Sequence, residues 1–218
     1  MAKKISARNV TLNDLKNKFA LQLVREPAFF PEWSSDLPEV TEAEKQFLNQ
    51  VQAGFFNLMD YPPVLEDTVK IAVLSPLVQL AGLLLPPYYI KTEESISITA
   101  VDDSIAIDGK IDVLVLQDRL WMIVIESKQA SFSILTGLAQ ILSYMLANTE
   151  KDKPVYGMIT TGGSFIFVKL LNNKYSTSRV FELINPGNEL YTVLSILKRL
   201  AQIASQGITE QEPYPHDS

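Results

Sequence analysis

An uninterrupted apolar run between residues 120 and 125 constrains the fold of this chain more than any other feature. The run reads Leu-Trp-Met-Ile-Val-Ile and contains no polar residue. A strand with one solvated face would alternate apolar and polar residues, whereas a short apolar run next to turn residues is typical of a strand buried on both faces. We therefore predict that Leu120–Ile125 is the central strand of a sheet.

Strands are also predicted on both sides of this run. Before it, alternating apolar residues predict strands at residues 96–100, 105–107 and 111–116, with turns at Asp102-Asp103 and Asp108-Gly109. After it, residues 156–160 and 165–170 predict a hairpin that turns at Gly162-Gly163. We expect the strands before the run to form an antiparallel meander that leads into the central strand.

The spacing of apolar residues elsewhere is that of amphipathic helices. The predicted helices cover residues 11–24, 42–58, 65–85, 133–148 and 188–204. The second has a clear start, because Thr41 and Glu44 have the spacing of a capping box. The third is expected to end at Pro86-Pro87, since proline cannot continue a helix.

Length and composition predict one α/β domain. The chain has 218 residues, 47% of them hydrophobic, and no cysteine, which excludes disulfides and thiolate zinc sites. Residues 1–58 are expected to form an N-terminal arm and helices packed on the core, 59–205 the core domain, and 206–218 a frayed acidic tail. With no signal peptide and no apolar segment long enough to span a bilayer, we expect a soluble, cytoplasmic protein without membrane contact.

The charge of the chain is unevenly distributed. The net charge of -6 disfavours nucleic-acid binding, because phosphate contacts need lysine and arginine. Residues 1–26, however, carry six basic side chains against Asp14 and Glu26. This segment could be a basic arm that follows a nucleic-acid backbone, or a solvated tail.

Acidic residues and a lysine occur where two consecutive predicted strands meet. Asp112 begins one strand and Glu126 ends the next, so the two carboxylates should lie side by side at one end of an antiparallel pair. Glu126 and Lys128 are two residues apart and therefore point to the same face of a strand. Such a group suits a divalent cation and a phosphate, since Mg²⁺ prefers one or two carboxylates together with water and substrate oxygens. The lysine can orient or deprotonate a water, or balance charge on the phosphate.

These three residues resemble the signature of the PD-(D/E)XK nuclease superfamily. Asp112 matches the aspartate of its second motif, and Glu126-Ser-Lys128 matches its E-x-K motif. Ile111 stands where the name of the superfamily has proline. That position carries no chemistry.

Three further segments are similar to branches of the same superfamily. Gln140-Ile-Leu-Ser-Tyr144 has the Q-x-x-x-Y spacing of the helix motif in recombination exonucleases. Glu66, at the start of a predicted helix, resembles the first motif in the N-terminal nuclease domain of type I restriction-enzyme motor subunits, and residues 157–167 resemble its glycine-threonine strand and hairpin. The resemblance covers about residues 60–170. The P-loop of an ATP-driven motor is absent from the sequence.

The resemblance implies a restriction-endonuclease-like three-layer fold, with a mixed central sheet flanked by helices and extra N-terminal helices. It implies metal-dependent cleavage of nucleic acid, DNA above all, by a homodimer or with a partner subunit that supplies specificity. The implied Mg²⁺ or Mn²⁺ ligands are Glu66, Asp112, Glu126 and the carbonyl of Ser127. The implied catalytic residues are Asp112, Glu126, Lys128, Gln140 and Tyr144. Of these, Lys128 acts on the attacking water, and Gln140 and Tyr144 position the nucleic-acid backbone or the lysine. One lysine only partly balances the negative charge of three carboxylates, so we predict a raised pKa for at least one of these acids.

Plainer interpretations remain open for each residue. Asp112 could cap a turn, Glu126 and Lys128 could be a surface pair, and Asp67 competes with Glu66 for the first motif. Gln140 and Tyr144 could be ordinary polar residues of an amphipathic helix. For the whole chain, the alternatives are an inactive nuclease-fold interaction module, which the acidic composition favours, and a metal-dependent hydrolase with another substrate.

Overall fold

The computed structural model describes residues 3–100, 105–117, 120–131 and 133–206, which form an α/β structure. Its strands are β1 Lys3–Ser6, β2 Gln22–Leu23, β3 Tyr88–Thr99, β4 Ile105–Gln117, β5 Leu120–Ser127, β6 Val155–Thr160, β7 Ser164–Leu171, β8 Lys174–Thr177 and β9 Phe181–Glu182. Its α-helices are α1 Leu12–Phe19, α2 Glu42–Met59, α3 Glu66–Val69, α4 Ser75–Leu80, α5 Leu138–Met145 and α6 Leu190–Gln206. A π-helical turn, Lys70–Leu74, joins α3 to α4.

The described strands form one mixed sheet. Hydrogen-bonded neighbours follow the order β1-β4-β5-β6-β7-β8-β2, with β3 paired to β4 and β9 paired to β7. β5 is antiparallel to β4 and parallel to β6, so it lies inside the sheet as predicted. Because β3 pairs with β4 along nearly its whole length, β1 and β5 both bind the other edge of β4.

Helices cover both faces of the sheet. Side chains of α2, α4 and α6 pack on one face with Ile123 and Ile125 of β5. Side chains of α1 and α5 pack on the other face with Val124. All three of these β5 residues are at most 1% exposed, which confirms the prediction of a strand buried on both faces.

The meander before the central strand is simpler than predicted. Asp108 and Gly109 lie within β4 and make no turn, because β3 pairs continuously with residues on both sides of them. The predicted turn at Asp102-Asp103 and the connection at Asp118 lie outside the described residues. The predicted hairpin of β6 and β7 is present, with Gly162 at φ 83° in its turn.

Two predicted helices end earlier than their apolar spacing suggests. The helix from residue 11 ends at Phe19, and Ala20 adopts the left-handed conformation (φ 53°), so that residues 22–23 pair with β8. The helix from residue 65 ends before Gly82 (φ 76°) and does not extend to Pro86. Helix α2 begins as predicted, with the capping box of Thr41 and Glu44 formed.

The N-terminal segment belongs to the fold. Lys3–Ser6 pairs in parallel with Ile105–Asp108 of β4, and Leu15 of α1 is completely buried. The interpretation of this segment as a solvated tail is therefore wrong for residues 3–24. Within the described ranges, no helix combines the length and the apolar character needed to cross a membrane.

Candidate active site

Two carboxylates meet at the point where β5 ends beside β4. Val113 pairs with Ile125, so the next pair along the same antiparallel register is Asp112 and Glu126. The Asp112 side chain accepts hydrogen bonds on Oδ2 from the backbone N–H of Ser127 (2.8 Å) and from its hydroxyl (3.0 Å). Both acids are buried, with Asp112 7% and Glu126 1% exposed. The antiparallel pair thus brings the two predicted acids together.

A hydrogen-bonded chain runs from Glu126 to helix α5. The Lys128 ammonium donates to Glu126 Oε1 and to Gln140 Oε1, the latter at 3.0 Å. The Gln140 amide nitrogen donates to Glu126 Oε1 and, at 2.7 Å, to the Tyr144 hydroxyl. Gln140 and Tyr144 are one helical turn apart and therefore face the same side of α5. The structure places all four of these sequence-predicted residues in one buried network.

Glu126 is the electrostatically unusual member of this network. Burial away from water, together with the negative charge of Asp112, raises the pKa of its carboxyl to about 8, although Lys128 opposes the change. Its second oxygen, Oε2, is buried and accepts no hydrogen bond from the described part of the chain. An unused buried acceptor is costly in a folded protein, so this oxygen is suited to an additional cationic partner.

A second lysine, which the sequence did not single out, lies beside Asp112. The Lys70 ammonium is 3.3 Å from Asp112 Oδ1 and 3.0 Å from Glu66 Oε1, and it bridges the two acids. Partial burial lowers the pKa of Lys70, but its hydrogen bond to Glu66 and the charge of Asp112 raise it more, so the net change is upward. Lys70 is one turn after Glu66, a spacing visible in the sequence, whereas its contact with Asp112 is 42 residues away along the chain.

The structure favours Glu66 over Asp67 as the acid nearest to the site. Asp67 lies 3.8 Å from Lys70 and its side chain is 91% exposed, whereas the Glu66 side chain is 32% exposed. Among the described residues, no group of three Asp, Glu, His or Cys side chains has the arrangement of a metal site. Glu66 and Asp112 contact the Lys70 ammonium, whereas Glu126 contacts Lys128.

An open cleft of about 480 Å³ lies beside this group of residues. Its lining includes Glu66, Lys128 and Gln140, and also Arg8, which the sequence analysis counted only as part of the basic N-terminal segment. Arg8 lies in a 3₁₀ turn, Ala7–Asn9, directly after β1. The residues of the site thus come from the N-terminal turn, α3, two strands and α5.

Gly109 holds the N-terminal turn against Tyr144. A Cβ atom at residue 109 would lie 2.6 Å from Tyr144 Cε1 and 2.7 Å from Ala7 Cβ. We expect Gly109→Ala to lower the free energy of unfolding by about 1–3 kcal/mol, because the tyrosine ring or the turn must move. Gly54→Ala on helix α2, where nothing lies within 4 Å of the new methyl group, is expected to raise it by about 0.5–1 kcal/mol. Urea denaturation of both variants measures this difference, and equal effects would contradict the assigned packing.

The assignment of the site rests on its geometry, because the sequence comparisons with known proteins found no match. No protein-family model matches the chain, and no curated protein is significantly similar to it in sequence. The structure brings together all the sequence-predicted residues except that Lys70 separates Glu66 from a direct contact with Asp112. Sequence reasoning missed Lys70 and the position of Arg8.

Proposed function

We propose that this chain is a metal-dependent nuclease of the PD-(D/E)XK type, with a restriction-endonuclease-like core, that hydrolyses phosphodiester bonds in DNA. The observation that carries the proposal is the buried network of Glu126, Lys128 and Gln140 beside Asp112. A surface ion pair would not explain it, because the Glu126 and Lys128 side chains are only 2% and 8% exposed. Burying such charges is costly, and function is a sufficient reason to retain them.

The oxygen atoms of the site fit a hard divalent cation. Glu126 Oε2 is a buried acceptor without a hydrogen bond in the described chain, and Asp112 offers a second carboxylate one strand away. Mg²⁺ or Mn²⁺ would be held by these two acids, with Glu66 and the Ser127 carbonyl as further ligands. The ion would stabilise negative charge on the phosphate oxygens and lower the pKa of a bound water.

The other side chains of the network position groups for this reaction. Lys128 brings a positive charge to the cleft, which can stabilise the negative charge that develops on a phosphate oxygen or on the attacking water. Gln140 accepts a hydrogen bond from Lys128 and thereby orients the ammonium. Tyr144 orients Gln140 in turn, and it stays protonated because burial and the charge of Glu126 raise the pKa of its hydroxyl.

The proposal predicts cleavage that depends on metal. Purified protein is expected to cut plasmid or linear DNA with Mg²⁺ or Mn²⁺ and to stop when a chelator is added. A gel assay with single-stranded DNA, duplex DNA and RNA measures the activity and shows which substrate is cut. Cleavage that persists in excess chelator would contradict the metal role.

Metal binding is also expected to stabilise the fold. A divalent ion displaces the proton that Glu126 keeps at neutral pH, balances the charges of Asp112 and Glu126, and binds only the folded chain. For a dissociation constant near ~1 mM, about 10 mM metal adds roughly 1.4 kcal/mol by mass action, which raises Tm by roughly 3–6 °C in a domain of this size. Differential scanning calorimetry with Mg²⁺, Mn²⁺ and chelator measures the shift.

One observation favours a second candidate, an inactive nuclease-fold module that binds another protein. Lys70 already neutralises Glu66 and Asp112, as an ammonium can in a site that has lost its metal. This candidate predicts neither a metal-dependent rise in Tm nor cleavage of any nucleic acid. The two measurements above therefore separate the candidates.

A further inference from the structure

Two strands approach one another along the same edge of β4. β1 ends with Ser6 opposite Asp108, whereas β5 runs antiparallel to β4 and reaches Ile125 opposite Val113. A short stretch of β4 that contains Gly109 lies between these two strand ends. The chain leaves β1 at this gap and forms the turn that carries Arg8. The pairing of β1 with β4 therefore brings Arg8 to the end of β5 that holds the site.

Arg8 lines two adjoining clefts. The first is the cleft with Lys128 and Gln140, and the second, of about 580 Å³, contains Lys4 and Lys110. Gly109 also lines the second cleft, together with Tyr144, whose ring packs against the glycine. Arg8 is thus the cationic side chain that the two clefts share.

The charges around the second cleft differ in whether they already have partners. The Lys4 ammonium lies 3.5 Å from Asp108, and the Lys110 ammonium lies 3.1 Å from Glu93. Arg8 is exposed and makes no hydrogen bond or ion pair within the described part of the chain. A guanidinium has fixed donors that match two phosphate oxygens at once, and it is less strongly hydrated than an ammonium. Arg8 is therefore the residue best suited to a phosphate at this junction.

We propose that Arg8 binds the phosphate next to the one that is cleaved, and that the substrate strand runs from the catalytic cleft across Arg8 into the second cleft. The substrate class is then an extended polynucleotide strand and not a mononucleotide or a small phosphodiester. This inference rests on the proposed nuclease function. Arg8 acts as a positioning residue, because it lies on the path of the strand and outside the network of Glu126 and Lys128.

The salt dependence of binding tests the phosphate contact. Fluorescence anisotropy with a labelled 20-nucleotide single strand, in Ca²⁺ to limit cleavage, gives log K at several salt concentrations. Arg8→Gln is expected to weaken binding about tenfold and to reduce the slope against log salt by about 0.7, the value for one phosphate of a single strand. Arg8→Lys should keep most of the slope, because it keeps the charge.

Arg25→Gln is the matched control. Arg25 is also exposed and basic, lies in the same N-terminal segment, and follows β2 at the opposite end of the strand order from β1. Arg25→Gln makes the same change in net charge as Arg8→Gln without altering the proposed path of the substrate strand. Its slope and affinity should equal those of the parent protein. Equal losses for Arg8→Gln and Arg25→Gln would show a general charge effect and overturn the inference.

Substrate length gives a second readout that a merely structural role would not affect. The parent protein should cut a 20-nucleotide strand with a higher kcat/KM than a dinucleotide, and Arg8→Gln should reduce this preference about tenfold by lowering only the rate on the long substrate. If the parent protein cleaves DNA and Arg8→Gln has the same salt-dependence slope and the same length preference as the parent, this inference is overturned. The nuclease proposal then remains intact. A parent that neither binds nor cleaves DNA or RNA overturns both.

Discussion

Lys128→Met is expected to reduce phosphodiester cleavage by about 10³-fold, the range for loss of a proton-transfer group or of a donor that stabilises transition-state charge. Methionine keeps the volume of the side chain and removes the ammonium that contacts Glu126 and Gln140. Removing this charge raises the pKa of Glu126 further, so the acid stays protonated at pH 7 and no unpaired charge is left in the buried site. The fold is therefore expected to survive the change.

The measurement is single-turnover cleavage with saturating Mg²⁺, combined with calorimetric titration of the metal. Metal binding is expected to persist, because the ion displaces the proton of Glu126 and the variant has one cation fewer to repel the ion. Lys91→Met on β3 is the control, because this lysine is 47% exposed and pairs with Glu94. A Lys128→Met protein that cleaves as fast as the parent would show that the ammonium has no part in the reaction.

Glu126→Gln is expected to change how stability depends on pH. The pKa of Glu126 is about 8 in the folded chain and 4.5 in the unfolded chain. Between these pH values the folded protein keeps a proton that the unfolded chain releases, so the free energy of unfolding falls as pH rises from about 4.5 to about 8 and is level outside this window. At 1.36 kcal/mol per pKa unit, the loss is on the order of 5 kcal/mol.

Glutamine has nearly the shape of the protonated acid and does not titrate, so the variant should lack this loss and be more stable than the parent at pH 8. Urea denaturation between pH 4 and pH 9, without metal, compares the two curves. Glu94→Gln, at a partly exposed side chain of β3, controls for removing one acid from the protein. Parallel curves for parent and Glu126→Gln would mean that Glu126 is charged throughout and paired with Lys128.

The central strand and the core of the site could be predicted from the sequence because both depend on local periodicity. Strand side chains alternate between faces, so Glu126 and Lys128 had to point to the same side. The antiparallel connection of two consecutive strands then placed Asp112 beside Glu126. Helical periodicity did the same for α5, because residues four apart, such as Gln140 and Tyr144, lie on one face of a helix.

Local rules gave the wrong structure for Asp108-Gly109. Aspartate followed by glycine is typical of a turn, but these residues lie inside β4. Gly109 is needed because Ala7 and Tyr144 approach the strand too closely for a Cβ atom. The sequence alone does not show why a glycine is needed at this position, because Ala7 and Tyr144 are distant from Gly109 along the chain.

The chain by itself determined which side chains share a face of one strand or one helix. Together with the antiparallel connection of two consecutive strands, this gave the grouping of Asp112, Glu126 and Lys128. Only the tertiary structure decided which other charges reach that group. Lys70 contacts Asp112 because the π-helical turn after α3 lies beside β4, and Arg8 reaches the cleft because β1 pairs with the edge of β4 next to β5. Side-chain periodicity is a property of consecutive residues, whereas these contacts depend on how whole elements pack, and one sequence segment does not encode its partner.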